Sequence, residues 1–407
     1  MFEGSLPNDT PSEIRAHLTI ARSRLRPDAT CLTIARSRLT AAAIELGRAK
    51  GARWSLEPCA LAIELLRFST AMEPARRAGR RRVTTPGELS DCLRDDGDLR
   101  DADLSGFRAT LDLRAVDLSG ASFVDVVLEA SDLRGARIVG CTFRRTRLGG
   151  STLDGAHLSD SRFDDVELTG ASLVGAQLRS ARLSRVSLAR AILEGTSWQD
   201  AVLVDVDASH ARAAHVELAR ARVVQRLDLA AADLVGAKLD GARLGAVDLT
   251  AATLRDASFA RADLTGAKLA GGCIDGMNLR GAVLCDADLA GARGRGVILS
   301  KANAQRSRAP SIQLVDVQAE RLDARAASLA DARLERVDLE GANLEDADLR
   351  RAIVDACRLD RARCSRASFA LSAIRETSFL HADVYGASFD GAEGSLPEVR
   401  SAPRHDA

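Results

Sequence analysis

A period of five residues constrains this chain more than anything else in it. Ala287-Asp288-Leu289-Ala290-Gly291 reads small, polar, large apolar, then two polar or small residues. Ala342-Asn343-Leu344-Glu345-Asp346 and Ala347-Asp348-Leu349-Arg350-Arg351 repeat the pattern without a gap. From Leu113 to Val223, 21 of 23 positions at strict five-residue spacing hold a large apolar residue or Trp. From Leu229 to Phe389, 28 of 33 do so, counting Cys364. Two places before these centres, Ala fills 30 of 56 positions.

An α-helix advances about 100° per residue, so a period of five would smear apolar groups around all its sides. A flat strand needs alternation in twos, which five interrupts at every unit. A backbone that turns a corner every five residues satisfies the pattern, with the centre and the small residue inward and the other three outward. Four such sides close a coil of 20 residues, and coils stack about 4.8 Å apart through strand-type hydrogen bonds. Phe123, Phe143 and Phe163 follow one another at intervals of one such coil, as do Phe369 and Phe389, so each set should form a stacked ring ladder. With aromatics only 3% of the 407 residues, no ordinary ring-built core is expected elsewhere.

The units resemble those of the pentapeptide repeat family: a small residue, Asp or Asn, Leu, then two variable residues. The likeness covers residues 98 to 392. It implies an all-β fold, a right-handed quadrilateral β-helix; the length of the repeat region gives 14 or 15 coils, and the residues before it, which lack the rhythm, read as a partly helical or disordered N-terminal extension. It says little about activity. Some members of the family mimic duplex DNA and bind type II topoisomerases, protecting gyrase from inhibitors such as quinolones, a route to antibiotic resistance in bacteria.

Four segments are expected: an irregular, partly helical extension over 1–84, a capping helix over 85–97, the solenoid over 98–392 and a polar tail over 393–407. The extension carries Leu-Thr-Ile-Ala-Arg-Ser-Arg-Leu twice, at Leu18–Leu25 and Leu32–Leu39, and an amphipathic pattern after Ser55 through Leu61, Ile63, Leu65, Leu66 and Phe68. Thr85-Pro86-Gly87-Glu88 has the form of a capping box with Pro at the first helical position. A helix there would cover the open end of the first coil, which otherwise exposes core and unpaired backbone. The register breaks twice. Leu99 and Leu104 are one residue out of step with Leu113 onward, and one residue too many lies between Val223 and Leu229.

Candidate chemistry is sparse. Eight cysteines include no Cys-x-x-Cys pair, and Cys141, Cys357 and Cys364 fall at inward places, where a thiol acts as a small hydrophobe and a reducing compartment is expected. His210 and His215 lie near Asp205, Asp207 and Glu217 but on successive sides of the coil, so they should not converge on one metal. Gly294-Arg295-Gly296 lacks the third glycine of a phosphate cradle. No catalytic residue, cofactor or metal is expected. The basic run Arg293, Arg295, Lys301, Arg306 and Arg308 is the candidate partner-contact zone. Three of its members, Arg295, Arg306 and Arg308, stand one full coil after an acid (Asp275, Asp286 and Asp288), so stacked ion pairs are expected there. Gly294, Ala304, Ala309, Pro310, Ala319 and Ala324 mark this stretch, 291–326, as a second irregular zone beside 204–228, where Ala208 and Ala213 thin the core.

The sequence therefore points to a non-enzymatic rod that binds a protein partner in the cytoplasm. It does not name that partner or the oligomeric state. Residues 98–392 hold 42 acids against 39 Arg and Lys, and stacked outward places such as Asp228, Asp248, Lys268, Asp288 and Arg308 mix signs, a poor likeness of DNA. Balanced charge overall argues against direct nucleic-acid binding. No run of 18 apolar residues exists for a membrane span, and Met1-Phe2-Glu3-Gly4 lacks the start of a secretory leader. A third reading, a secreted effector or toxin-associated module, would use the extension over 1–84 for export or docking.

Overall fold

The computed structural model describes residues 81–95 and 99–397. The paired octapeptides, the amphipathic pattern after Ser55 and the end of the polar tail lie outside these residues. Within them the chain is a parallel β-solenoid of about 14 turns. Bridges join residues 20 apart along each side, as in Asp228 to Asp248 to Lys268 to Asp288 to Arg308. Every corner rests on a backbone requirement. At the common corner the N–H two places before one centre donates to the carbonyl of the preceding centre, as from Ala121 to Leu118 at 2.9 Å. The residue two places after that centre takes positive φ, the pattern of a type II turn. Glycine meets this demand freely, but Asp, Arg and Ala also carry it, for example Asp286 (58°) and Arg306 (54°).

Both register breaks are present, and each has a structural form. Asp103 pairs with Ser122 and Arg108 with Val127, 19 apart, whereas Asp112 pairs with Asp132. The missing residue is therefore lost between Arg108 and Asp112. Leu203 pairs with Val223 but Val206 with Leu227, so the extra residue sits at Val224–Arg226 as a bulge, with Val224 exposed.

Among the described residues strand pairing runs through the corner in two places, and these two sheets lie in different corner columns. The first sheet holds β1 (Ser122–Val124), β2 (Thr142–Arg147), β3 (Arg162–Glu167), β4 (Arg182–Ser187), β5 (Val202–Asp207), β6 (Arg222–Val223) and β7 (Leu227–Asp228). The second holds β8 (Arg293–Arg295), β9 (Gln313–Gln318), β10 (Arg333–Asp338), β11 (Ile353–Asp355), β12 (Ala373–Arg375) and β13 (Glu393–Gly394). At these corners the usual small residue is replaced by Val126, Thr146, Val166, Val186 and Val206, then by Val297, Val317, Val337, Cys357 and Thr377. All but Cys357 are β-branched, which favours extended backbone over a tight turn, although Val116, Thr196, Val216 and Val247 keep the turn at the same place.

Centres fill the tube. Phe123, Phe143 and Phe163 stack at 4.5 and 4.8 Å with planes within 6°, and Phe369 stacks on Phe389 at 4.9 Å. Helix α1 (Pro86–Asp95) buries Leu89 and Cys92 in the same core as Leu99 and Leu104. Its capping box is complete: Thr85 Oγ1 accepts from Glu88 N–H at 3.2 Å, and Glu88 Oε2 accepts from the Thr84 and Thr85 N–H groups at 2.7 and 3.3 Å. At the other end Phe379 and Phe389 are half-buried and Leu371, Leu380 and Tyr385 are exposed. No helix of the described residues is long and apolar enough to cross a membrane.

Candidate interaction surface

Outward residues are held more tightly than a two-in, three-out reading implies. The Asp or Asn just before a centre does not simply face water. Its side-chain oxygen accepts the N–H of the residue just after the centre, as from Ala290 to Asp288 (3.0 Å), Thr250 to Asp248 (3.1 Å) and Gln305 to Asn303 (3.2 Å). This Asx link explains the residue preference at that place. Where Ser stands there instead, an Asp from the preceding coil does the same work. Asp154 accepts from Val174 N–H (2.9 Å) and Ser172 Oγ (2.5 Å), and Asp240 accepts likewise from Ala260 (2.8 Å) and Ser258 (2.5 Å).

A second device fastens coil to coil. An Asp at a positive-φ corner is gripped by the Arg one coil later, through both Nε and Nη2. The pairs are Asp125–Arg145, Asp165–Arg185, Asp200–Arg220, Asp286–Arg306, Asp316–Arg336, Asp331–Arg351 and Asp346–Arg366. In Asp286–Arg306 the two bonds are 2.8 and 2.7 Å. The hydrogen bonds from Arg hold these carboxyls below their ordinary values, as at Asp286 and Asp346.

The candidate zone is divided by these devices. Arg306 is clamped by Asp286 as expected. Arg295 departs from expectation: only its backbone N–H reaches Asp275 (2.9 Å), while its guanidinium turns forward to Asp316 (2.9 Å), which Arg336 also holds. Arg308 stacks on Asp288 through the backbone, yet among the described residues it makes no ion pair, nor do Arg293 and Lys301. The five do not form one patch, because their places fall on different sides of the coil. Stretch 291–326 is also not irregular in backbone. Its coils keep the regular one-turn pairing throughout, with Gly294 opposite Leu314. Only its filling differs: Ala304, Ala309, Ala319 and Ala324 stand at centres while Ile312 and Leu322 occupy small places and are buried. Gly294 is required by packing, since a Cβ there would lie 2.6 Å from both Ile274 Cγ1 and Val297 Cγ2.

The thin coil at Ala208 and Ala213 contains an apolar cavity of about 20 Å³, lined by these residues with Trp198, Val206, Leu218 and Leu227 among others. His210 and His215 take successive corners (φ 56° and 57°), and no group of three or more potential metal ligands occurs among the described residues. Cys141, Cys357 and Cys364 are buried thiols. Burial pushes the Cys357 thiol up to about 11 and that of Cys364 to about 12, the state of an unreactive packing residue.

The description "Pentapeptide repeats" matches in eight copies, over residues 112–150, 147–185, 181–218, 242–281, 278–308 and 321–354, about half of the chain. The chain belongs to the pentapeptide repeat family. No curated protein matches it in sequence. Among solved pentapeptide repeat structures, HetL of the cyanobacterium Nostoc sp. strain PCC 7120, involved in heterocyst differentiation regulation, is 20% identical. That match covers 78% of this chain and 98% of HetL, with a TM-score of 0.20. Full-length QnrB1, a plasmid-mediated fluoroquinolone resistance protein, is 19% identical over 42% of this chain and 93% of its own, at 0.23. Rfr23 of the cyanobacterium Cyanothece 51142 is 20% identical over 31% and 96%, at 0.13. At these identities and scores the likeness extends no further than the solenoid itself.

Proposed function

We propose that this pentapeptide repeat protein is a non-enzymatic scaffold whose solenoid displays a fixed lattice of side chains to a protein partner in the cytoplasm. One observation carries the reading. The corner side chains are exposed, yet their backbone is fixed at nearly every unit by hydrogen bonds to neighbouring coils, at most of these units by a turn and at many by an Asx link as well. Such a surface loses little conformational entropy on binding. Buried thiols at packing places agree with a reducing compartment. The mixed signs of the stacked columns work against a DNA-like surface, which must be uniformly negative. Affinity capture from the native cell under cross-linking should yield a stoichiometric protein partner, and recovery of the chain alone would refute the scaffold. In a gyrase supercoiling assay with a quinolone, protection at micromolar protein would replace this reading with the DNA mimic.

A further inference from the structure

Cations on this solenoid are usually spoken for. At the corner place two after a centre, Arg220, Arg306, Arg351 and Arg366 are each clamped by an Asp one coil earlier. Arg190 is an isolated exception, with Gly170 one coil earlier, but one column departs from the habit repeatedly. Arg261, Lys301 and Arg321 occupy that same place in a single column, where the residues one coil earlier are Gly241, Gly281 and Lys301. No acid is supplied to grip them. Arg280, one place earlier in its turn, joins the row. Backbone bonds fix the succession: Arg261 N–H donates to the Arg280 carbonyl (2.9 Å), Gly281 to Ser300 (3.1 Å) and Lys301 to Glu320 (2.9 Å). All four side chains are exposed, and among the described residues none of them makes an ion pair.

We infer that this corner is a docking stripe for an extended acidic polypeptide lying along the solenoid axis. The inference rests on the scaffold reading and adds the class of partner. Four cations over three coil steps span about 14 Å, the length of about four residues of extended chain. Alternate acidic side chains of such a segment would face the stripe. Two observations favour polypeptide over nucleic acid. Asp263, Glu320 and Asp323 share these corners, Glu320 being tied to Ser300 Oγ at 2.5 Å, so the ligand must carry its negative charges at intervals, as a polypeptide can, and not at every step, as a phosphate backbone does. The flanking places hold Asn278, Val283, Ile298, Asn303 and Gln318, with no ring for a base to stack on. Glycines at 241, 281 and 341 keep the corner low beside the cations, so a backbone can approach.

The test measures anisotropy of a labelled oligoglutamate peptide with the full chain, at low and physiological ionic strength. Binding that weakens with salt is expected. The triple variant Arg261→Glu, Lys301→Glu and Arg321→Glu should weaken it about tenfold or more. Arg190→Glu, Arg293→Glu and Arg308→Glu, an equal charge change at cations on other sides that make no ion pair among the described residues, should leave it within about twofold. Unaltered far-UV spectra and thermal midpoints establish that both variants fold. Equal losses in the two triples, or tighter binding of single-stranded oligothymidylate than of the peptide, would overturn the stripe. A native partner retained by the corner triple also overturns it while leaving the scaffold standing. Peptide binding lost in the corner triple, with no protein captured from the cell, would keep the stripe and remove the scaffold.

Discussion

Phe143 offers the sharpest test of the stacked tube. Its ring is fully buried between Phe123 at 4.5 Å and Phe163 at 4.8 Å, with planes 6° and 3° apart. Phe143→Ala removes the ring and leaves a cavity that rigid coils above and below cannot collapse, for about 3–5 kcal/mol. Phe143→Leu keeps most of the burial and loses two ring contacts, each about 0.5–1.5 kcal/mol, so about 1–3 kcal/mol. In a stacked array each coil meets only its neighbours, so the loss should be local. Native-state hydrogen exchange is the assay: amides in the coils of Phe123, Phe143 and Phe163 should lose protection in the order Ala, then Leu, then parent. Amides beyond Leu244 should stay unchanged. A cost below about 1 kcal/mol for Phe143→Ala, or equal costs for Ala and Leu, would refute the ladder as a packing element.

Gly294→Ala should destabilise by about 1–3 kcal/mol, because its methyl meets Ile274 and Val297 at 2.6 Å. Its cost and that of Val297→Ala, which removes the Cγ2 in the way, should be less than additive in a denaturant titration. Ala213→Val should fill the cavity of about 20 Å³ and add about 0.5 kcal/mol; a lowered unfolding midpoint would show the space to be closed. Asp125, Asp165, Asp200, Asp286, Asp331 and Asp346 all sit below their ordinary value, foremost through the hydrogen bonds from their Arg partners. Their unfolded forms protonate near about pH 3.9, so the clamps' stability is whole above that value and drains as pH falls through the lower folded values. Replacing Asp286, Asp331 and Asp346 by Asn should flatten the dependence of the unfolding midpoint on pH between pH 5 and about 2.

The period of five made the square tube legible because one residue type, the centre Leu, does one job at every corner. The ring ladders, both register breaks and the capping box at Thr85 were equally plain, since each follows from spacing alone. What spacing could not give is the direction of a long side chain. Asp275 and Arg295 stand one coil apart, as do Asp286 and Arg306. Yet only the second pair clamps, because both its members stand two after a centre, where positive φ aims each side chain along the axis at the next coil. Asp275 stands one after a centre, where its carboxylate is taken by a backbone N–H. The alanine-rich stretch looked irregular for a related reason: Ile312 and Leu322 swap places with the alanines, so the core is refilled while the backbone keeps its step.

The signal for the two sheets was present in the sequence and lay in the supposedly small places. Val, Thr or Cys recurs there once per coil, first in the column of Val126 and then in that of Val297. An inward branched side chain favours the strand-type corner without dictating it, since Val116, Thr196, Val216 and Val247 keep the ordinary turn, while the coil-to-coil clamp depends on the residue two after the centre. These are independent variables in each unit. A chain can therefore alter its outer lattice, clamped or free, acidic or basic, without disturbing the tube that carries it. The unclamped row of Arg261, Arg280, Lys301 and Arg321 is such an alteration: four adjacent coils keep their turns and their bonds to neighbours, and only the outward partners have been withheld.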